Sequence, residues 1–314
     1  MSNTIYKPKT REEWLEFRKH GVGSSEIASV VGANPWQTPY QLWRFKMGID
    51  PPLTENFAMK AGHYLEDAVT LFWSDATGKE VIKSSDGDWI IVDGEKGYLR
   101  ASPDRTYWID QNKKKNAKNK GILECKTTQM TIDPENIPKH WFCQVQWQLG
   151  IAGLQHGSLA WLTSGRSFGY VDIEFNQEFF DWMVEKVDKF WNVNILQKIE
   201  PDLINAGDVV RRFNKEREGK ELDVTTDVFN VCNRLKEIKG AIKDLTKEKD
   251  ELEDNLKLTF LDNEYLSYKG VPIATWKKAK DTVKFDSKAY MEDHPDDKTY
   301  LKTTVGARKL LIKK

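Results

Sequence analysis

Hydrophobic residues recur along the chain with two periods, and together these periods predict a core built of helices and strands. Apolar residues at every third or fourth position predict helices over residues 11–32 (two short helices), 40–47, 57–77, 138–154 and 176–199. Alternation of apolar and polar residues predicts strands over residues 80–84, 88–92, 97–101, 105–109, 121–126, 157–163 and 168–175. Strands mixed with flanking helices indicate an α/β (α+β) core.

The pattern changes after Pro201. A polar stretch to about residue 223 is typical of a linker, and a helix is predicted from there to about residue 261. The apolar residues of this helix follow a heptad repeat: Val228, Val231, Leu235, Ile238, Ile242, Leu245, Leu252 and Leu256. Such a face can form a coiled coil with another chain or pack within its own chain. We favour packing within the chain, because the repeat is short and is interrupted by Lys249.

The remaining residues complete a C-terminal extension. Residues 263–286 predict a hairpin, and the last residues form a basic tail. We therefore expect a core over residues 1–205 and an extension over residues 206–314 that consists of the heptad-patterned helix, the hairpin and the tail.

Composition narrows the class of protein. The formal net charge of zero argues against a protein that coats nucleic acid over its whole surface, although it leaves room for a local basic channel. The three cysteines form no C-x-x-C pair, so a disulfide scaffold and a zinc knuckle are not expected. The polar N-terminal residues do not resemble a signal peptide, and a cytoplasmic location is expected.

The strongest candidate for chemistry is Ser102-Pro103-Asp104, followed by Glu124-Cys125-Lys126 on a predicted strand. Side chains alternate between the two faces of a strand, so Glu124 and Lys126 should share one face. Asp104, Glu124 and the backbone carbonyl of Cys125 would form an oxygen shell of the kind that Mg²⁺ prefers. Such a site suits phosphodiester hydrolysis, and Mn²⁺ is expected to substitute.

Acid-x-Lys is a weak motif by itself, because it recurs in this highly charged chain, for example at Glu218-Gly-Lys220 and Glu237-Ile-Lys239. Those copies are best explained as solvated charges. The copy at Glu124 differs because it lies on an apolar strand and follows a Pro-Asp pair. That context favours a metal site.

Three further groups are open to two interpretations each. Arg18, Ser24 and Ser25 flank a helix start and could bind a phosphate, or they could simply cap the helix. Glu66 could be a further metal ligand or a solvated helix residue. Gln144 could orient a water or the lysine, or it could lie on the outer face of an amphipathic helix. From the residues alone, the structural interpretation is the stronger one for the first two groups, and the two are equally natural for Gln144.

Taken in order, these motifs resemble the YqaJ-like viral recombinase (phage lambda exonuclease) family of the PD-(D/E)-x-K nuclease superfamily. The resemblance covers residues 11–200 through Trp14-x₃-Arg18-x₂-Gly-x-Gly-x-Ser25, Gly62-x₃-Glu66, Ser102-Pro103-Asp104, Leu123-Glu124-Cys125-Lys126 and Gln144-Val-Gln146. It implies a restriction-endonuclease-like core and a Mg²⁺-dependent exonuclease that degrades the 5′ strand of a duplex end and leaves 3′ overhangs.

The resemblance also assigns residue roles. It implies that Asp104 and Glu124 hold the metal, that Lys126 activates the water, and that Gln144 and Glu66 belong to the active site. It implies that Arg18 and Ser25 bind the 5′-phosphate, and Ser24 is grouped with them. A phage or prophage origin, a trimeric ring around DNA and a single-strand annealing partner are further implications.

Two other functions stay open. An endonuclease of the same fold would carry the same metal site and would cut closed circles. A non-catalytic DNA-binding or assembly module would need neither the complete acid-x-Lys element nor the Pro-Asp pair, so the presence of both argues against it.

Overall fold

The computed structural model describes residues 3–51, 56–82, 89–114, 116, 118–283, 286–294 and 310–311. The chain forms two compact units, Met1–Val209 and Val210–Lys314. The strands are β1 (Thr4–Tyr6), β2 (Val81–Ile82), β3 (Ile90–Val92), β4 (Arg100–Ala101), β5 (Arg105–Trp108), β6 (Lys120–Thr128), β7 (His156–Thr163), β8 (Ser167–Glu174), β9 (Tyr265–Tyr268) and β10 (Val271–Thr275). The helices are α1 (Arg11–Lys19), α2 (Ser24–Val30), α3 (Pro39–Lys46), α4 (Phe57–Thr77), α5 (Lys139–Ala152), α6 (Gln177–Lys189), α7 (Ala206–Arg212), α8 (Thr226–Phe260) and α9 (Ser287–Asp293).

A five-stranded mixed sheet with the order β2-β5-β6-β7-β8 forms the centre of the first unit. The β6 and β7 strands are parallel and joined through α5, whereas the other neighbours in this sheet are antiparallel. A crossover helix is the usual connection between parallel strands, because the chain must return from the end of the first strand to the start of the second, at the opposite edge of the sheet. The predicted central mixed sheet flanked by helices is confirmed.

The two faces of the central sheet bury different side chains. On one face, Ile122 of β6 packs with Val145 and Leu149 of α5. On the other face, Leu123 packs with Val69 and Trp73 of α4. Since neighbouring residues of a strand point to opposite faces, β6 presents alternate residues to α5 and to α4.

A third apolar cluster surrounds α2 and includes Val22, Ile27, Trp43 and Trp147. Beside it lies a small antiparallel sheet with the order β1-β3-β4. An isolated bridge between Val22 and Leu99 joins the start of α2 to the start of β4. This contact brings the N-terminal helices next to the Ser102-Pro103-Asp104 segment.

Several element boundaries differ from the predictions. The helix predicted over 176–199 ends as α6 at Lys189 and continues as a π-helix over Phe190–Leu196. The strand predicted over 97–101 is reduced to Arg100–Ala101, because residues 93–99 form a tight connection after β3. Parts of the strands predicted over 80–84 and 88–92 lie outside the described residues.

The stretch predicted as a linker contains the short helix α7, whose Asp208 is fully buried. Its carboxylate accepts hydrogen bonds from Thr38 (2.8 Å), Gln41 (3.2 Å) and the backbone N–H of Ile204 (3.2 Å). These bonds tie residue 208 to α3 within the first unit. The sequence placed the boundary after residue 205, whereas the first unit extends to Val209.

The second unit contains α8 and the hairpin of β9 and β10. Phe260, at the end of α8, is buried and packs against Trp276 after the hairpin. The described residues of the second unit do not cover the heptad face of α8, since most of its apolar side chains are exposed. Packing of this face against another part of the chain stays a prediction. Most of the predicted basic tail lies outside the described residues. No helix in the described part of the chain is long and apolar enough to cross a membrane.

Candidate active site

The predicted site residues line a single cleft of about 1190 Å³ in the first unit. Its walls contain Arg18, Ser24, Ser25, Glu66, Asp104, Glu124, Cys125, Lys126 and Gln144. They come from α1, α2, α4, β6, α5 and the turn before β5. The fold therefore brings together segments that are up to 126 positions apart in the sequence.

Glu124 lines the cleft and is only 1% exposed. Its Oε1 accepts hydrogen bonds from Nζ of Lys126 (2.5 Å) and Nε2 of Gln144 (2.6 Å). Its Oε2 accepts a hydrogen bond from Nε2 of Gln148 (2.7 Å). Such charge-assisted bonds satisfy the hydrogen-bonding capacity of a buried carboxylate. They also fix the plane of the carboxylate on the α5 face of β6.

Helical spacing explains how α5 serves this site. Gln144 and Gln148 are one turn apart and therefore point the same way, towards β6. Gln146 points elsewhere, donating to the backbone carbonyl of Glu174 (2.7 Å) and accepting from the N–H of Asn176 (2.9 Å). The contact of Gln148 with Glu124 emerges from the structure.

Lys126 lies next to Glu124 on the same face and also donates to Oε1 of Gln144 (2.9 Å). Burial alone would lower the pKa of Lys126, but the carboxylates of Glu124 and Asp104 outweigh burial and raise it. Lys126 is therefore a protonated ammonium at neutral pH in the absence of other charges. Its side chain is the more exposed member of the pair, 21% against 1% for Glu124, so it faces the open cleft.

Asp104 lies in the turn between Pro103 and β5, where its Oδ2 accepts a hydrogen bond from the backbone N–H of Cys125 (2.8 Å). This bond holds the turn against β6 and places Asp104 beside Glu124. Burial, followed by the charges of Glu124 and Glu66, raises the pKa of Asp104 well above its usual value. Three carboxylates that repel one another in this way form a cluster that a cation would stabilise.

Glu66 reaches the cleft from α4, and it pairs with Arg105, a residue that the sequence pattern did not indicate. The Arg105 guanidinium contacts the Glu66 carboxylate, the Asp67 carboxylate (2.8 Å) and the backbone carbonyl of Asp104 (2.6 Å). Burial raises the pKa of Glu66, and Arg105 offsets part of this effect. Arg105 thus clamps α4 to the turn that carries Asp104.

The donor set suits a hard divalent cation. Asp104, Glu124 and Glu66 supply carboxylate oxygens, the ligands that Mg²⁺ and Mn²⁺ prefer. Among the described residues, no group of three or more His, Cys, Asp or Glu side chains is arranged for metal binding as it stands. In this structure the oxygens of the Glu124 carboxylate instead accept hydrogen bonds from Lys126, Gln144 and Gln148. Metal ligation by Asp104, Glu124 and the Cys125 carbonyl therefore stays a prediction.

Arg18 and Ser25, which also line the cleft, are in direct contact. Nη2 of Arg18 donates to Oγ of Ser25 (2.9 Å), and the guanidinium stacks on Trp14 at 4.6 Å from the ring centre. Ser24, by contrast, is buried, and its Oγ accepts a hydrogen bond from the backbone N–H of Ser102 (3.0 Å). Through this hydrogen bond, Ser24 connects the start of α2 to the turn that contains Pro103 and Asp104.

The buried side chains of Glu26 and Lys46 contact Arg18 from the interior of the protein. The sequence pattern did not indicate either residue. The Glu26 carboxylate contacts Arg18 (3.3 Å), Lys46 (2.7 Å) and the backbone N–H of Gly23 (3.0 Å). Nζ of the fully buried Lys46 also donates to the carbonyls of Arg18 and Gly21, each at 2.7 Å. The only signal in the sequence is Glu26 at the third position of α2, where a glutamate commonly bonds the residue before the helix.

Residues 13–155 match the YqaJ-like viral recombinase domain. Every predicted site residue lies inside the matched region, and the resemblance seen in the motifs is confirmed over it.

Relatives extend beyond the YqaJ-like domain. The chain is 29% identical to the uncharacterized protein YqaJ of Bacillus subtilis (strain 168) over 316 aligned positions, which cover 97% of this chain and 94% of that protein. An alkaline exonuclease from Laribacter hongkongensis is 20% identical, with a TM-score of 0.46 over 58% of this chain and 91% of that one. A phage-related exonuclease from Haemophilus somnus 129PT is 13% identical, with a TM-score of 0.41 over 57% of this chain and 96% of that one.

Proposed function

We propose that this protein is a Mg²⁺-dependent exonuclease that degrades the 5′ strand from the ends of linear double-stranded DNA and leaves 3′ single-stranded overhangs. The observation that carries the proposal is the single cleft whose lining contains Asp104, Glu124 and Lys126 together with Arg18 and Ser25. A nuclease that begins at an end needs both a hydrolytic site and a contact for the terminal phosphate. The match of residues 13–155 to the YqaJ-like viral recombinase domain supports it.

The proposed hydrolytic activity depends on how the carboxylates of Asp104 and Glu124 are positioned. Asp104 is fixed by the backbone of Cys125, and Glu124 is fixed by Gln144 and Gln148. A Mg²⁺ ion held by Asp104, Glu124 and the carbonyl of Cys125, with Glu66 as a further candidate ligand, would polarise the phosphate and lower the pKa of a bound water. The positioning bonds keep the oxygens in place without the cost of ordering them during turnover.

Lys126 is placed to act on the attacking water. Its Nζ is held by Glu124 and Gln144 on the open side of the carboxylates. Because those carboxylates raise the pKa of Lys126, neutralising their charge would lower it towards the range in which a lysine can accept a proton. As an ammonium, Lys126 can orient the water. Once the acidic cluster is neutralised and the ammonium has released its own proton to solvent, the neutral amine can take a proton from the water.

Arg18 and Ser25 are proposed to bind the terminal 5′-phosphate. Both described side-chain hydrogen bonds of Arg18 use Nη2, and a guanidinium has five N–H donors, so donors remain for a phosphate. Each charge-assisted bond of this kind contributes roughly 1.5–3 kcal/mol. Loss of Arg18 should therefore slow digestion of 5′-phosphorylated ends by about one to two orders of magnitude.

Incubation of the purified protein with end-labelled linear duplex and Mg²⁺ tests the proposal. We expect loss of the 5′ strand first, faster digestion of 5′-phosphorylated than of 5′-hydroxyl ends, and no cutting of closed circles. Asp104→Ala should abolish digestion, whereas Asp75→Ala, an exposed carboxylate on α4, is the matched control. Arg18→Ala should remove the preference between the two ends.

Other outcomes select another function. Cutting of closed circles would favour an endonuclease of the same fold. Binding of duplex without cleavage in Mg²⁺ or Mn²⁺ would favour a non-catalytic DNA-binding module. Equal slowing by Arg18→Ala on both kinds of end would show that Arg18 holds the fold or the DNA backbone and not the terminal phosphate.

The resemblance supports further proposals about context. They are action in the cytoplasm of a bacterial host as a phage or prophage product, assembly as a trimeric ring, and cooperation with a single-strand annealing protein that binds the 3′ overhang. Co-purification with an annealing protein from the same phage would test the last of these.

A further inference from the structure

The long helix α8 carries an apolar row, which we call the seam, along one face. The seam consists of Val228, Val231, Leu235, Ile238, Ile242, Leu245, Leu252 and Leu256. Leu235 is half-buried and the others are 40% (Ile238) to 63% (Leu245) exposed. A row of exposed aliphatic side chains over eight turns of helix, interrupted once at Lys249, is typical of a surface that another helix covers.

The heptad positions of α8 can be assigned from the seam. The a positions are Val228, Leu235, Ile242, Lys249 and Leu256, and the d positions are Val231, Ile238, Leu245, Leu252 and Thr259. The flanking e and g positions decide the orientation of a partner helix, because their charges lie beside the apolar core. Four of them are charged in the middle of the helix: Arg234, Lys239, Glu248 and Glu253.

Parallel pairing of two α8 helices in register is disfavoured by these charges. It would place each g residue against the e residue five positions later in the partner. Arg234 would then face Lys239, Glu248 would face Glu253, and the two Lys249 side chains would meet in the core. Like charges that face each other destabilise a coiled coil.

Antiparallel pairing removes all three conflicts. In the register with full overlap, the core layers are Val228 with Thr259, Val231 with Leu256, Leu235 with Leu252, Ile238 with Lys249, and Ile242 with Leu245. The flanking pairs become Arg234 with Asn255, Ala241 with Glu248, Cys232 with Glu253 and Lys239 with Thr246. No flanking pair joins like charges, and the two Lys249 side chains lie apart.

The distribution of charge along α8 favours the same orientation. Residues 226–243 contain four basic and two acidic residues, whereas residues 244–260 contain three basic and six acidic residues. An antiparallel second copy would place the basic half of each helix against the acidic half of the other. We propose that α8 is a self-association surface through which two copies of this chain pair as an antiparallel coiled coil about a twofold axis.

Site-directed crosslinking of the full chain tests this orientation. In the proposed register, native Cys232 lies beside residue 253 of the second copy, so Glu253→Cys should give a crosslinked dimer with a short bismaleimide reagent. In parallel pairing these positions would be about 31 Å apart along the helix axis. The reverse reporter is Lys249→Cys with Cys232→Ser, whose thiols would meet in a parallel coil and lie about 16 Å apart in the antiparallel one.

Controls separate the seam from other contacts. Cys232→Ser with Glu253→Cys should lose the crosslink, which excludes Cys125 and Cys143 as its source. Leu245→Asp in the central layer should halve the mass measured by light scattering and reduce crosslinking at least tenfold, since a charge in a coiled-coil core is strongly unfavourable. Lys247→Asp, on the opposite face, is the matched control and should change neither.

Three results would overturn the proposal. Efficient crosslinking of Lys249→Cys without crosslinking of Glu253→Cys would establish a parallel arrangement. A mass that is unchanged by Leu245→Asp, together with no crosslink from Cys232 in the Glu253→Cys variant, would show that α8 does not pair with itself. An assembly that forms only when another protein is added would assign the seam to a different partner.

Discussion

At the scale of single residues, the acidic cluster is defined by what holds each carboxylate. Glu124 has three side-chain donors, Asp104 has one backbone donor, and Glu66 has an arginine. The pKa values of Asp104 and Glu66 are nevertheless raised, because burial and mutual repulsion outweigh these donors. The cluster is thus arranged to receive positive charge.

Lys126 provides a test of whether charge or proton transfer matters. Lys126→Ala should lose turnover by orders of magnitude and keep duplex affinity near the wild-type value. The reason is that the proposed role of the side chain is to act on the attacking water and not to bind the duplex. Lys126→Arg should not restore turnover, since a guanidinium stays protonated. Single-turnover cleavage and filter binding of the same variants measure the two quantities. Full activity of the arginine variant would reduce the role of Lys126 to electrostatics.

Glu26 provides a test of the support beneath Arg18. Glu26→Gln should lower the stability of the protein by about 3–5 kcal/mol, because it leaves the buried Lys46 ammonium without its carboxylate. The double variant Glu26→Gln, Lys46→Met should recover most of that loss. Denaturant unfolding followed by tryptophan fluorescence measures both. A loss that the double variant does not recover would mean that the carboxylate acts through Gly23 or Arg18 and not through Lys46.

The pH dependence of this pair has a definite sign. Burial alone would raise the pKa of Glu26, but Lys46 and Arg18 outweigh burial and lower it. A carboxyl group whose pKa is lowered by folding contributes stability above its unfolded pKa and loses that contribution as the pH falls through its folded pKa. The stability difference between wild type and Glu26→Gln should therefore shrink below about pH 4.5. A difference that grows as the pH falls would contradict this assignment.

At the scale of elements, β6 is a central strand whose two faces are covered by different helices. The α5 helix covers the face that carries Glu124 and Lys126, and α4 covers the face of Leu123 and Cys125. The site therefore depends on the register of β6 against β5 and β7. A shift of one residue would move both charged side chains to the α4 face.

Gly121 tests how tightly that register is packed. It pairs with Tyr107 of β5, and a Cβ atom at Gly121 would collide with the buried Tyr107 ring. Gly121→Ala should cost roughly 1–3 kcal/mol of stability. Gly97→Ala is the matched control, since a Cβ there meets no described atom within 4 Å. Equal unfolding midpoints for the two variants would show that the ring moves aside freely.

At the scale of the whole molecule, the first unit contains every residue of the candidate site and its own apolar clusters. Near its C-terminal end, Asp208 supplies the partner for the Thr38 hydroxyl and the Gln41 amide. The unit should therefore fold and cleave DNA without the extension, provided that α7 is kept.

Truncation at two points tests this boundary. A chain of residues 1–214 should unfold cooperatively and digest duplex ends. A chain of residues 1–205 should be less stable by about 1–3 kcal/mol, because it leaves buried polar groups of α3 without a partner. Thermal unfolding and the end-digestion assay compare the two. Identical stability would place the boundary at residue 205, where the sequence predicted it.

The sequence alone determined the local geometry of the candidate site. A strand period of two puts Glu124 and Lys126 on one face, and a helical period of 3.6 puts Gln144 and Gln148 on one face. Both periods are properties of the backbone and need no knowledge of distant contacts. The order of motifs also identified the family, because several chemically constrained segments must be present in sequence.

Only the tertiary structure decided which faces meet. Arg105 with Glu66, Lys46 with Glu26, and Ser102 with Ser24 are pairs separated by 20 to 78 positions, and no local period relates them. Exposure of the α8 seam was likewise beyond the sequence, since an apolar stripe looks the same whether its own chain or another covers it. Local periodicity determines the direction in which a side chain points, whereas the topology of the fold determines which residues it contacts.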